Sequence, residues 1–178
     1  MAATKRSLKM PSVIASILEK LEAEKDLPDE FENLLPGTFE IKSEWTGIYN
    51  CIAFAANETH RKWWPVPISD GRKDRYWPDG APRTERLRSF VRAFDIEGGY
   101  QPCDSDKLEE GIEKVAIFMR GAKPTHMARQ LPDGKWASKL GDKEDIHHNS
   151  LHEVEGRIYG TVARILCREV ASSEEAES

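Results

Sequence analysis

No apolar run in this 178-residue chain approaches the roughly 20 residues that span a bilayer. Cysteine is scarce: Cys51, Cys103 and Cys167 are an odd number at wide spacing. That excludes a disulfide framework and a CxxC zinc pattern, and it fits a reducing cytoplasm. HEXXH is missing, because Asn149, Ser150 and Leu151 separate His148 from His152. No internal repeat is present. Excess positive charge is also lacking: the net charge is −5 and the pI about 5.6, which disfavours general nucleic-acid binding. The N-terminus begins basic, but the apolar segment VIASIL is too short for a signal peptide and runs into EKLEAEK.

What is present suits one soluble domain with a sizeable core: 39% hydrophobic and 32% charged residues. Residues 1–10 read as a loose basic leader. From Ser12 to Glu24, Val13, Ile14, Ile17, Leu18 and Leu21 recur at helical intervals, with Ser12 as N-cap. Pro28 and Pro36-Gly37 bracket DEFENLL, a second short helix. Residues 38–41 form a short strand or lead-in. The next helix starts at or just after Asn50 and runs from Cys51 to His60. Residues 61–82 are rich in Pro, Gly and Asp yet carry Trp63, Trp64, Tyr76 and Trp77, so the loop is either functional or well packed. Residues 84–94 read as a helix capped by Thr84, with Leu87, Phe90, Val91 and Phe94 inward.

The second half changes period. KVAIFM (114–119) is a central strand, THMARQL (125–131) the next, Asp133-Gly134 a hairpin turn, and KWASKL (135–140) the return strand. Gly141 closes it. DIHHNSLH (145–152) has as its bland reading a polar loop before the last strand; 158–168 reads as a long strand and 171–178 as an acidic disordered tail. Helices first and an antiparallel meander second give an α+β domain.

The chemistry centres on Cys51. A thiol at a helix N-terminus gains thiolate character but needs a base within hydrogen-bonding reach. Of five histidines, His126 opens a core strand, a rigid place for a base. Ser138 on the return strand, or Asp145 beyond it, would orient the imidazole. The bland readings stand beside this one: Cys51 as small core residue, His126 as satisfied buried histidine, His60 as a cation at a helix C-terminus. His148 and His152, at i, i+4 with His147 adjacent, would be metal ligands only with further partners, which the sequence does not offer. The aromatic loop would line a substrate groove, staple itself to the core, or stack single-stranded nucleic acid with Arg61, Lys62, Arg72, Lys73 and Arg75.

An Asn-Cys helix start, a KVAIF strand, a strand opening with His, a DG hairpin and a polar return strand resemble the papain-like cysteine hydrolases. The closest likeness is to the compact bacterial branch of NlpC-type peptidases, CHAP amidases and related amidase domains. It covers roughly residues 45–141. YNCIAFA, WWP, THMARQL and SKLG also look like an uncharacterised bacterial domain family.

The resemblance implies a papain-like α+β fold at 38–170 after a helical extension at 1–37, the Cys-bearing helix packed on the antiparallel sheet. It implies Cys51 as nucleophile, His126 as base and Ser138 in the third position, where those families place His, Asn, Gln or Asp. The oxyanion would meet the Cys51 N–H and the Asn50 side chain. Trp63, Trp64, Tyr76 and Trp77 would bind an amide, peptide or acyl-ester substrate. No metal or organic cofactor is expected, nor a membrane partner. The alternative is a non-catalytic binding module holding a protein or nucleic-acid partner with loop 61–82.

Overall fold

The computed structural model describes residues 12–67, 70 and 75–170. The expected leader, the acidic tail, and Arg72 and Lys73 lie outside the described residues. The architecture is α+β and dominated by one seven-stranded antiparallel sheet. Helix α1 spans Ser12–Glu30 and β1 spans Phe39–Ile41. Then follow α2 at Cys51–Ala55, β2 at Lys62–Trp63, β3 at Arg75–Tyr76 and α3 at Leu87–Gly98. The sheet strands are β4 (Gln101–Cys103), β5 (Ile112–Arg120), β6 (Lys123–Gln130), β7 (Trp136–Lys139), β8 (Asp145–His148) and β9 (Thr161–Glu169). Together with β1 they lie in the order β1-β8-β7-β6-β5-β9-β4, and β2–β3 is a separate parallel pair. No helix among the described residues is long and apolar enough to cross a membrane.

The sheet carries a core on each face because β5 and β6 sit at its centre and alternate apolar side chains to both. Val115, Ile117, Met127, Ala137 and Leu166 face α2 and α3. Ala116, Phe118, Ala128, Trp136, Ile146 and Ile165 face Leu27, Phe31, Leu34, Leu151, Val154 and Tyr159. Phe90 and Phe94 of α3 are fully buried, each stabilising the fold by about 1.5–3 kcal/mol.

Several expected boundaries shift for identifiable reasons. α1 continues through Pro28 to Glu30, so DEFENLL is no separate helix. Its buried anchor is Leu27, followed by Phe31 and Leu34, whereas Ile14, Ile17 and Leu21 are exposed. α2 ends at Ala55, not His60, because Asn57 is left-handed (φ 60°) and Glu58 N–H turns back to the Ala53 carbonyl. α3 starts after Arg86 because the Thr84 hydroxyl bonds Ser89 Oγ at 2.7 Å, leaving the Arg86 N–H to the Thr84 carbonyl. DIHHNSLH (145–152), expected as a polar loop, instead forms β8 and enters a 3-10 turn at Leu151–Val154. β4 is an edge strand that the sequence reading did not separate from its surroundings.

Candidate functional site: Cys51 and a buried His–Ser–His cluster

Asn50 caps α2 and ties the following loop to it. Its Oδ1 accepts from the N–H groups of Ala53 (3.3 Å) and Trp63 (3.0 Å), and its Nδ2 donates to the Trp63 carbonyl at 2.8 Å. Cys51, the first residue of the helix, therefore has a fixed backbone. It is 7% exposed. Burial pushes its thiol up to about 11; the N–H groups of Met127, Cys51 and Ile52 and the charge of Lys139 act the other way, favouring the thiolate. The β6–β7 register ends at Ala128↔Ser138, one residue short of Met127. The sulfur thus meets β6 where β7 has left it.

His126 lies next to Met127 and is fully buried. Its ring stacks on Tyr159 with centroids 4.0 Å apart and 14° between planes, and Phe118 meets its edge at 5.3 Å. Tyr159 contacts the His126 ring and feels Cys51 only electrostatically. Burial, then the nearby Cys51, raises its hydroxyl well above the ordinary tyrosine value. His126 Nε2 lies 3.0 Å from Ser138 Oγ, and Ser138 Oγ lies 2.9 Å from His148 Nε2. His148 Nδ1 sits 2.6 Å from the Ser150 carbonyl and 4.0 Å from Glu153 Oε2. Glu153 in turn accepts from the Ser150 N–H and Oγ–H, the capping box of the 3-10 turn. His126 Nδ1 is buried and has no hydrogen-bond partner among the described residues, so no Cys51–His126 hydrogen bond is formed. Burial, with His148 adding, holds the His126 ring well below the usual imidazole range, and burial brings His148 down to about 4. Both rings are neutral.

Asp145 serves a different cluster. It accepts from the Tyr49 hydroxyl at 2.5 Å, lies 3.8 Å from Lys139 Nζ, and makes no bond to His126. Lys139 is fully buried, lies over the Tyr49 ring at 5.0 Å and donates to the Lys143 carbonyl. His148 and His152 do not share a helix face: His148 ends β8 and His152 is exposed in the 3-10 turn, paired with Glu155. No group of three or more His, Cys, Asp or Glu suited to a metal ion occurs among the described residues.

The aromatic loop is largely stapled. Trp63 and Trp77 are core residues; Trp77 Nε1 bonds the Pro82 carbonyl. Trp64 bonds Glu85, and Tyr76 bonds Glu97 beneath the Arg61 guanidinium. A cavity of about 860 Å3 opens at the C-terminal end of α2, lined by Trp63, Phe94, Tyr100, Arg129 and Arg168. Cys51 and His126 do not line it, nor do Trp64, Tyr76 or Trp77.

Residues 40–167 match the family described as Domain of unknown function (DUF7689). The chain belongs to that family. The DUF7689 span runs from β1 into β9. It includes Cys51, His126, Ser138 and His148 and leaves α1 outside. No curated protein and no solved structure matches the chain. Sequence reasoning missed the roles of His148 and Tyr159. Strand parity carries the first: His126 and Ala128, Trp136 and Ser138, and Ile146 and His148 alternate onto one face.

Proposed function

We propose that this DUF7689 chain is a cysteine-dependent hydrolase or acyltransferase of papain-like arrangement, acting on an amide or ester bond. Cys51 is the nucleophile and His126 the base. The observation that carries this reading is His126 itself: one ring nitrogen is tied to Ser138, the other is buried with no hydrogen-bond partner, and the next residue, Met127, turns its N–H to the Cys51 sulfur. A buried polar atom left unpaired costs about 1–3 kcal/mol, and an imidazole nitrogen with a free lone pair is what a general base requires.

The resting pair is a neutral thiol and a neutral imidazole. As a carbonyl carbon arrives, the Sγ proton passes to His126 Nδ1 and sulfur attacks. The Cys51 N–H and the second Nδ2 proton of Asn50 are the donors assigned to the developing oxyanion. Collapse expels the amine or alcohol, which takes the proton back from His126. Water or an acceptor nucleophile then releases the acyl group. Substrate entry requires displacement of the side chains that bury Cys51.

A binding module is the second reading, and the 860 Å3 cavity away from Cys51 is what favours it. Of the aromatic residues of loop 61–82, Trp63 lines that cavity, whereas Trp77 is packed in the core and Trp64 and Tyr76 lie outside it. Incubation with an activated acyl ester, followed by intact-mass analysis, separates the two. The hydrolase reading expects one acyl group on Cys51, absent in Cys51→Ala and slow to form in His126→Gln. No adduct on Cys51 with any acyl ester or thioester tried favours the binding module.

A further inference from the structure

We infer that His148 is a positioning residue that fixes the tautomer of His126 through Ser138, so that the unprotonated nitrogen of His126 is Nδ1. This rests on the hydrolase reading only for its catalytic meaning; the proton assignment stands on geometry with both buried rings neutral.

The chain of assignments starts at Ser150. Its carbonyl can only accept, so the His148 nitrogen 2.6 Å from it, Nδ1, carries a proton. A neutral ring with its proton on Nδ1 has a lone pair on Nε2. Ser138 Oγ, 2.9 Å from that nitrogen, must donate to it. A hydroxyl has one proton to give. The other contact of Ser138 Oγ, 3.0 Å to His126 Nε2, is therefore one it accepts, and His126 Nε2 is N–H. A neutral His126 with its proton there has its lone pair on Nδ1, the atom with no partner. The opposite assignment fails at one point. If Ser138 donated to His126, its oxygen and His148 Nε2 would face each other at 2.9 Å with two lone pairs and no proton.

The far end of the relay is held firmly. Glu153 Oε2 bonds both the Ser150 N–H (2.6 Å) and hydroxyl (2.7 Å), which aims the Ser150 carbonyl at His148, and the same oxygen lies 4.0 Å from His148 Nδ1. Around His126 the packed rings of Phe118 and Tyr159 leave its plane fixed. The tautomer matters because the alternative, Nδ1–H, has no lone pair with which to take the Cys51 proton. The relay thus does the orienting that an Asn or Asp does in other thiol sites, with a hydroxyl between two imidazoles.

Ring 15N NMR of the uniformly labelled full chain near neutral pH tests this without any substrate. The expected spectrum has His126 protonated at Nε2 and His148 protonated at Nδ1, opposite tautomers in one cluster. A proton on His126 Nδ1 in the wild type overturns the assignment, whether or not any variant folds. Ser138→Ala removes the link and is expected to give His126 a mixture of tautomers and to slow acylation of Cys51 by about tenfold or more. Ser138→Thr keeps the hydroxyl and restores both, and His148→Gln keeps an acceptor for Ser138 and preserves the His126 tautomer. If Ser138→Ala leaves the His126 tautomer unchanged, the relay is overturned. If the tautomers are as assigned but Cys51 never acylates, the proton assignment holds and its catalytic role falls with the hydrolase reading. If Cys51 acylates while His126 carries its proton on Nδ1, only the relay falls.

Discussion

Asn50 and Trp63 are joined in both directions: Asn50 Oδ1 accepts from the Trp63 N–H at 3.0 Å, and Asn50 Nδ2 donates to the Trp63 carbonyl at 2.8 Å. The same Oδ1 caps α2 through Ala53. One carboxamide thus sets the start of the helix bearing Cys51 and the entry of the loop that follows it. Replacing Asn50 with Ala removes the cap and strands two backbone groups, and is expected to cost about 2–4 kcal/mol in urea unfolding. Asn50→Asp keeps the acceptor but sets a carboxylate oxygen against the Trp63 carbonyl, so its loss should shrink as pH falls and the carboxyl protonates. An unchanged midpoint for Asn50→Ala would show that the clip carries no stability.

Gly160 places Tyr159 over His126. It has φ +77°, bridges Gly156 through paired backbone hydrogen bonds, and a Cβ there would lie 1.9 Å from the Met119 carbonyl oxygen. Neither the backbone conformation nor the space admits a side chain. Gly160→Ala is expected to destabilise the fold by about 3 kcal/mol or more, read as a fall in thermal midpoint. A near-neutral effect would mean that the 156–160 turn is free to move.

The neutral histidines make stability depend on pH. The unfolded His148 takes up its proton as pH falls through 6.5, while the folded ring resists until about 4. Its contribution is fully present above pH 6.5 and is lost as pH falls toward 4, a total of about 3 kcal/mol. His126, held low by burial, adds in the same direction. Wild-type stability should therefore fall over this window by more than that of His148→Gln, measured by urea unfolding at a series of pH values. Parallel curves for the two proteins would show that His148 is not buried in its neutral form.

Much of the second half could be read from sequence because local and global signals agree there. KVAIFM and THMARQL are rich in apolar residues on both faces, as a central strand requires, and Asp133-Gly134 fixes their neighbour, with Gly134 at φ +85°. β8 was harder. DIHHNSLH has no apolar alternation, since Asp145 and His148 are buried by pairing with Tyr49 and Ser138 rather than by hydrophobicity. The shortness of α2 also escaped the sequence, because Asn57 stops the helix through a left-handed turn that apolar spacing does not reveal. The exposed Ile14, Ile17 and Leu21 show the converse: helical period alone did not say which residues of α1 are buried. At the site, chain order brought out Cys51, His126 and Ser138. The place of His148 needed the β7–β8 register, which pairs Trp136 with His148 and sets it diagonally across from Ser138.

The central claim is that Cys51 reacts because His126 takes its proton. The most direct test is site-resolved labelling of the native protein near neutral pH with an uncharged carbonyl electrophile, following each cysteine by mass spectrometry. Burial keeps the free thiol at about 11, so reactivity at neutral pH must come from the histidine rather than from a standing thiolate. The account predicts that Cys51 is labelled ahead of Cys103 and Cys167, and that His126→Gln slows it by about tenfold or more while leaving the fold intact. Labelling of Cys51 only after unfolding, or at the same rate in His126→Gln, would contradict it.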